Sequence, residues 1–134
     1  MQTGSIKILN VNGAHPSVEA QLVNNTAWFT KNEIARLFNC FTQKIDTNIR
    51  SIFKSKLLYE VDVIHTYRYT DKNGNERQTT FYNLDILIFL SYRIGSLEAR
   101  VFRDFLNDSL RENLKRKDKV QNSKIIWISP PCYN

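Results

Sequence analysis

The strongest local constraint in this chain is a helix-start signal, Thr30 with Glu33 three positions later. In such a capping box the Thr30 hydroxyl accepts a hydrogen bond from the Glu33 backbone N–H, and the Glu33 carboxylate accepts one from the Thr30 N–H. The amphipathic segment that follows stops at residues 39–41, which predicts a short helix. Thr42 has the character of a second cap and predicts a second helix from Gln43. Two short helices joined by a tight turn are typical of a helix-turn-helix.

The second predicted helix has one apolar stripe and a broad polar side. Ile45, Ile49 and Ile52 recur at the spacing of a single helix face. On the polar side Asp46 is the only acid, and several side chains are of types that can read base edges: Gln pairs with adenine, Arg with guanine, and Thr offers a hydroxyl or a methyl group. The alternative is an ordinary core helix with a solvated surface. The predicted base-reading residues are Gln43, Lys44, Thr47, Asn48 and Arg50.

A β-hairpin is predicted after the second helix, because Asn73-Gly74 lies between two β-rich runs. With these two residues at the centre of the turn, Arg68 faces Thr79, and Arg68 and Arg77 lie on the same face of the ribbon. That face could hold the DNA backbone or enter a minor groove. Alternatively, the hairpin only completes the sheet, with its arginines in water. The predicted phosphate-contacting residues are Lys54, Lys56, Arg68, Lys72 and Arg77.

The remaining segments complete an α+β domain. Two short runs near the start alternate apolar and polar residues, which predicts an N-terminal β-hairpin. Asn83 caps an almost wholly apolar segment, the predicted central helix, and Ser96 caps a longer last helix. The predicted fold is a winged-helix-like core with an N-terminal hairpin, a helix-turn-helix, a wing hairpin and two C-terminal helices. One domain is expected over residues 1–117, with a C-terminal tail at 118–134.

The charge of the chain favours an anionic partner. It carries 19 basic and 13 acidic residues among 134, a net charge of +6, and basic proteins gain affinity for nucleic acids by neutralising phosphates. No apolar run approaches the roughly 20 residues of a membrane span, and no secretory signal is apparent. Cys40 and Cys132 are too few and too far apart to indicate a disulfide framework. We therefore expect a cytoplasmic protein with no membrane partner.

No pattern in the chain indicates an enzyme. His15 and His65 have no cysteine or carboxylate cluster at metal-ligand spacing, and no glycine-rich phosphate loop is present. Cys40 lacks an evident base that would activate it. Tyr92 beside Arg93 is the least poor candidate nucleophile, but its place at the end of a buried helix favours packing. We expect no catalytic residue, no metal and no cofactor.

Several short motifs carry a resemblance to a known family. The chain from Trp28 to about Leu114 resembles the RhuM family of bacterial virulence-associated and mobile-element proteins. The most specific pieces are Tyr82-Asn83-Leu84-Asp85 and Tyr92-Arg93, together with Trp28-Phe29-Thr30. The segment from Leu84 is also similar to the second half of the BRO N-terminal domain of phage antirepressors. The positions that match that domain are Ser96, Ala99, Phe102 and Phe105, with Phe105 in place of the usual Trp.

The resemblance implies DNA binding, or interference with a regulator, in an integrated genetic element. Together with the helix-turn-helix pattern it predicts a transcriptional regulator of a mobile or phage-derived element that binds double-stranded DNA. The alternative is an antirepressor-like module that binds a repressor or another partner protein. The last helix could also form a homodimer seam, through Phe102, Leu106, Leu110 and Leu114.

Overall fold

A computed structural model describes residues 2–120 of the chain. Helices and strands are mixed in this part, so the predicted α+β class is confirmed. In chain order the elements are β1 (Ser5–Leu9), β2 (Ser17–Gln21), β3 (Trp28–Phe29), α1 (Lys31–Leu37), α2 (Thr42–Lys54), α3 (Glu60–Val63), β4 (Ile64–Thr70), β5 (Glu76–Asn83), α4 (Leu84–Ser91) and α5 (Leu97–Val120).

The strands form two small antiparallel sheets. β1 and β2 make the predicted N-terminal hairpin, in which Ile6 lies opposite Ala20. The second sheet has the order β3-β5-β4, so the short strand before α1 pairs with the last strand. The Trp28 backbone N–H donates to the Thr3 carbonyl at 2.7 Å, and this bond connects the two sheets.

The core lies between the helices and the inner face of the three-stranded sheet. α4 is at its centre, as predicted, with Ile86, Leu87 and Leu90 fully buried. Phe102 of α5 packs against Phe38, with ring centroids 5.8 Å apart. The two short helices add Ile34, Ile45, Ile49 and Ile52 to the core. Other large core side chains come from elsewhere in the chain, among them Phe29, Val63, Tyr82 and Ile94.

The start of α1 follows the prediction, but the start of α2 does not. Both hydrogen bonds of the capping box between Thr30 and Glu33 are present. Thr42, however, is the first residue of α2, and the N-cap position belongs to Phe41, which makes no side-chain cap. The Thr42 hydroxyl instead donates to Asn32 Oδ1 of α1 at 3.1 Å. The predicted second cap is therefore wrong, because the hydroxyl joins the two helices.

The two short helices end in the same way. Asn39 after α1 and Lys56 after α2 have left-handed backbones, with φ of 51° and 57°. In each case the next residue donates its N–H to a carbonyl five residues back: Cys40 to Ala35 at 3.0 Å, and Leu57 to Ile52 at 3.2 Å. This is the Schellman pattern, which uses carbonyls that the helix end leaves unpaired.

The hairpin β4–β5 is present, but its predicted register is wrong by one residue. Arg68 pairs with Gln78 and Tyr69 pairs with Arg77. The loop has five residues, because the Asp71 carboxylate accepts the N–H groups of Asn73 and Asn75, each at 2.9 Å, and Gly74 takes a φ of 79°. Successive strand residues point to opposite faces. Arg68 and Arg77 therefore lie on opposite faces of the ribbon.

Asn83 links β5 to α4, as its sequence position predicted. Its Oδ1 accepts the N–H groups of Asp85 at 3.0 Å and Ile86 at 3.4 Å. Its amide nitrogen donates to the Asp62 carbonyl at 3.4 Å. Asp62 belongs to α3, a single turn that the sequence patterns did not predict. The Asn83 side chain therefore connects α3 with the junction of β5 and α4.

The last helix leaves the body of the domain after its first turns. Ser96 caps it by accepting the Ala99 N–H at 3.1 Å, and all side chains of residues 107–117 are exposed. Phe102 is 1% exposed, so it belongs to the core and is unavailable for the predicted dimer seam, whereas Leu110 and Leu114 are exposed. Of the predicted tail, residues 121–134 lie outside the described residues.

Candidate nucleic-acid interface

α2 presents its polar side to solvent along its whole length. Ile45, Ile49 and Ile52 are buried against the core, which forces the opposite side outward. Gln43, Lys44, Thr47, Arg50 and Lys54 are all exposed. Gln43, Thr47, Arg50 and Lys54 follow one another at steps of four, three and four residues, so they share one face of the helix.

Arg50 is oriented by an ion pair with Asp46, which is itself paired with Lys31. Its Nη2 lies 2.7 Å from Asp46 Oδ2, one helical turn earlier. The other oxygen of Asp46 accepts a hydrogen bond from the Lys31 ammonium of α1, and this ammonium also lies 5.8 Å from the centroid of the Tyr82 ring. The guanidinium side chain of Arg50 is nevertheless 72% exposed. It is therefore oriented by the protein and still accessible to a ligand.

Lys31 and Asp46 shift the pKa values of one another. The hydrogen bond from Lys31 is the main cause that lowers the pKa of Asp46. The same hydrogen bond raises the pKa of Lys31, against the opposing effect of burial. Both groups therefore stay charged across the neutral range, and the single acid of α2 is neutralised by two cations.

Asn48 is less free than the other predicted base-reading residues. Its side chain is half-buried, and its Nδ2 donates to the Lys44 carbonyl at 2.9 Å, one turn back along α2. One amide hydrogen and the amide oxygen remain for a ligand. Four of the five predicted base-reading residues are therefore fully exposed, and one of these four, Arg50, contacts Asp46.

Phe41 is a candidate that the sequence patterns missed. It precedes α2 with an extended backbone, and its side chain is 85% exposed. Extending the Ile45–Ile49 stripe back by four residues would have placed Phe41 in the core. Because Phe41 lies outside the helical backbone, it lies instead at the exposed N-terminal end of α2. An apolar ring there can contact a thymine methyl group.

The predicted phosphate-contacting residues are exposed but divided between two surfaces. Lys54 and Lys56 lie at the end of α2, and Lys72 lies in the hairpin loop. Arg68 shares its sheet face with Tyr82, whose ring lies beside Lys31 of α1, so Arg68 is on the side of the two short helices. Arg77 lies on the other face, where its Nε donates to Asp71 Oδ2 at 3.0 Å. The structure therefore brings Arg68, but not Arg77, to the side of α2.

The groups considered for catalysis lie apart from one another. His65 is exposed on β4, with its ring centroid 6.0 Å from that of Trp28, and His15 is exposed in the loop between β1 and β2. Burial raises the pKa of the Cys40 thiol. The Tyr92 hydroxyl donates to Asn107 Oδ1 at 3.2 Å. Over residues 2–120, no three His, Cys, Asp or Glu side chains are grouped closely enough to hold a metal ion.

Comparison of the chain with protein-family models, with curated proteins and with solved structures finds no match. None of the helices in the described part of the chain combines the length and the apolar character needed to cross a membrane.

Proposed function

We propose that this chain is a DNA-binding domain of winged-helix type that recognises duplex DNA through α2. In this proposal α1 and α2 form the helix-turn-helix and β4–β5 is the wing. The sheet order β3-β5-β4, with a short strand before α1 paired to the second wing strand, supports this fold. The residue motifs that resemble the RhuM family support a regulator of a mobile or phage-derived element.

The observation that carries the proposal is the outward polar face of α2 with its oriented arginine. Base recognition by arginine requires a planar guanidinium directed at the guanine edge, and the ion pair with Asp46 limits the conformations of the exposed Arg50 side chain. Gln43, Lys44, Thr47 and Asn48 supply further donors and acceptors on the same helix. Phe41 adds an apolar contact at the N-terminal end of α2, the end that enters the major groove in helix-turn-helix proteins.

In this proposal the phosphate contacts come from the C-terminal end of α2 and from the wing. Lys54 and Lys56 follow the base-reading face at one end, Arg68 lies on the wing face toward the two short helices, and Lys72 lies in the loop at the tip of the wing. Such contacts determine position and affinity but carry no sequence information. They also release counterions, so affinity for all duplexes must fall steeply with salt.

The proposal is tested by selection from a random duplex pool, followed by titration of the enriched site at two salt concentrations. Arg50→Ala should weaken binding to that site by about 1–3 kcal/mol and relax the preference at one base pair. Lys54→Ala should weaken all duplexes alike and reduce the salt slope by about one unit.

A matched control for Arg50 is available on α5. Arg111 is 71% exposed and forms an ion pair with Asp108 on its own helix at 3.2 Å, much as Arg50 does with Asp46. Arg111→Ala should leave the base preference unchanged. Absence of duplex affinity at low salt would overturn the proposal, and a stable complex with a repressor in its place would favour the antirepressor-like alternative.

A further inference from the structure

The outer face of the three-stranded sheet, away from the core, carries a row of aromatic side chains. Phe29 and Tyr82 are paired across β3 and β5 and are both buried, so their face of the sheet is the inner one. Residues one position away point outward. The outer sheet face, defined by its ring and cation side chains, consists of Trp28, His65, Tyr67, Tyr69, Phe81 and Arg77.

Four of the five rings on this outer sheet face form two close pairs. Tyr67 and Tyr69 have centroids 5.9 Å apart and planes inclined by 24°, and their side chains are 43% and 44% exposed. Trp28 and His65 have centroids 6.0 Å apart in an edge-on arrangement. Since His65, Tyr67 and Tyr69 alternate along β4, the two pairs make one continuous row of four rings. The fifth ring, that of the half-buried Phe81, lies beside this row, directly across from His65.

A fixed cation ends the row. Arg77 lies directly across from Tyr69, and its side chain is 58% exposed although its Nε donates to Asp71. The Asp71 carboxylate also accepts two backbone N–H groups of the loop, so it is itself fixed. Arg77 is the only formally charged strand residue on this face, and no aliphatic side chain of β3, β4 or β5 points the same way.

We propose that the outer sheet face is a second nucleic-acid site, which binds unpaired bases of single-stranded DNA or RNA. Bases stack on Tyr67 and Tyr69, and Arg77 contacts the adjoining phosphate. Aromatic platforms with a neighbouring cation are the usual means of holding single strands without sequence preference. Residues two apart on a strand are spaced by about 6.6 Å, which allows one base for each tyrosine.

This site is independent of the duplex interface. It uses neither α2 nor Arg68, which lies on the opposite face of the hairpin. A planar, partly polar row with a positive end matches the faces of bases and a phosphate. The exposed end of the face, at Tyr67, Tyr69 and Arg77, combines stacking rings with a cation, and this combination can hold a single strand.

The test measures binding of labelled dT12 and rU12 to the full chain, with and without Tyr67→Ala or Tyr69→Ala. Loss of one stacking ring should weaken binding by about 5- to 150-fold. Tyr69→Phe keeps the ring and should stay within about twofold of the unchanged chain, whereas Tyr69→Leu keeps an apolar side chain without a ring and should bind weakly. Tighter binding of dT12 assigns the site to DNA, and tighter binding of rU12 assigns it to RNA.

The controls separate this site from the duplex site. Tyr59→Ala removes a tyrosine that is 59% exposed beside α3 and should not alter the affinity for either oligonucleotide. Arg50→Ala should weaken only duplex binding. A negative result for the duplex site therefore does not decide the single-strand site, and the reverse also holds. Folding of each variant is checked by its thermal midpoint. Unchanged affinity in folded Tyr67→Ala and Tyr69→Leu chains would overturn the proposal and leave a protein partner as the ligand of this face.

Discussion

The ion pair between Asp46 and Arg50 gives the sharpest prediction about recognition. Asp46→Asn keeps the size and shape of the side chain but removes the charge that holds Arg50 Nη2 at 2.7 Å. It also removes the partner of Lys31. If Asp46 serves to direct the guanidinium at a base, its loss should reduce discrimination between duplexes more than it reduces overall affinity.

The magnitude follows from the freedom that Arg50 regains. Immobilising one long side chain on binding costs about 0.5–1.5 kcal/mol, so the neutral variant should bind its selected site about 2- to 13-fold more weakly. The direct contact of an arginine with a guanine is worth about 1–3 kcal/mol, so Arg50→Ala should lose more. Removal of a carboxylate near the phosphates should meanwhile raise the affinity for unrelated duplexes. The ratio of specific to non-specific affinity must therefore fall further than the specific affinity.

The assay is a titration of the selected duplex and of a scrambled duplex, with the two single variants and the double variant. In the Arg50→Ala background, Asp46→Asn should no longer change the ratio, because the side chain that it orients is absent. Asp108→Asn, which breaks the comparable pair on α5, serves as the control. An unchanged ratio in Asp46→Asn, or an equal fall with and without Arg50, would refute the orienting role.

Three further predictions concern stability. Lys56→Gly should raise the free energy of unfolding in urea by about 0.5–1 kcal/mol, because φ is 57° at Lys56 and glycine takes that conformation without strain; a loss of stability would contradict the assigned backbone. Asn83→Ala should lower it by about 1 kcal/mol through loss of the α4 cap, and Asn83→Asp should recover only part of this loss, because it keeps the cap but cannot donate to the Asp62 carbonyl. The Asp46 pKa is lowered and the Lys31 pKa is raised, so their contribution is complete between about pH 4 and about pH 10 and is lost beyond either limit. Thermal midpoints of the unchanged chain and Asp46→Asn should therefore converge in strong acid. In strong base their difference should only shrink, because Lys31 loses its charge while Arg50 keeps its own, and a constant difference would exclude the linkage.

Local signals in the sequence predicted those features that depend on a few neighbouring residues. The capping box of Thr30 and Glu33 and the cap of Asn83 are set by contacts within three positions. The apolar stripe of α2 reveals which side of this helix is buried, because residues on one side of a helix recur every three or four positions. The apolar stripe alone is sufficient to predict the exposed polar face of α2.

Features that depend on side chains from elsewhere could not be predicted in this way. The hairpin register changed because the Asp71 carboxylate binds the loop backbone and enlarges the turn, which the Asn73-Gly74 signal alone does not reveal. Thr42 resembles a helix cap in the sequence, but its hydroxyl donates a hydrogen bond to Asn32 of the preceding helix. The row of rings on the outer sheet face was missed because the alternation of residues along a strand does not reveal which face of the sheet the helices cover.

The two-residue strand β3 also constrains the order in which the chain folds. The Thr26 hydroxyl accepts the Leu84 N–H across 58 positions of sequence, and the entropy lost on closing such a long loop slows its formation. The hairpin β4–β5 closes only a short turn, an event on the order of microseconds. During synthesis β3 must also wait until β5 has emerged before the two can pair. Docking of the segment around Trp28 therefore follows formation of the hairpin β4–β5, and the fluorescence of a Trp127→Phe chain, in which Trp28 is the remaining tryptophan, can time it.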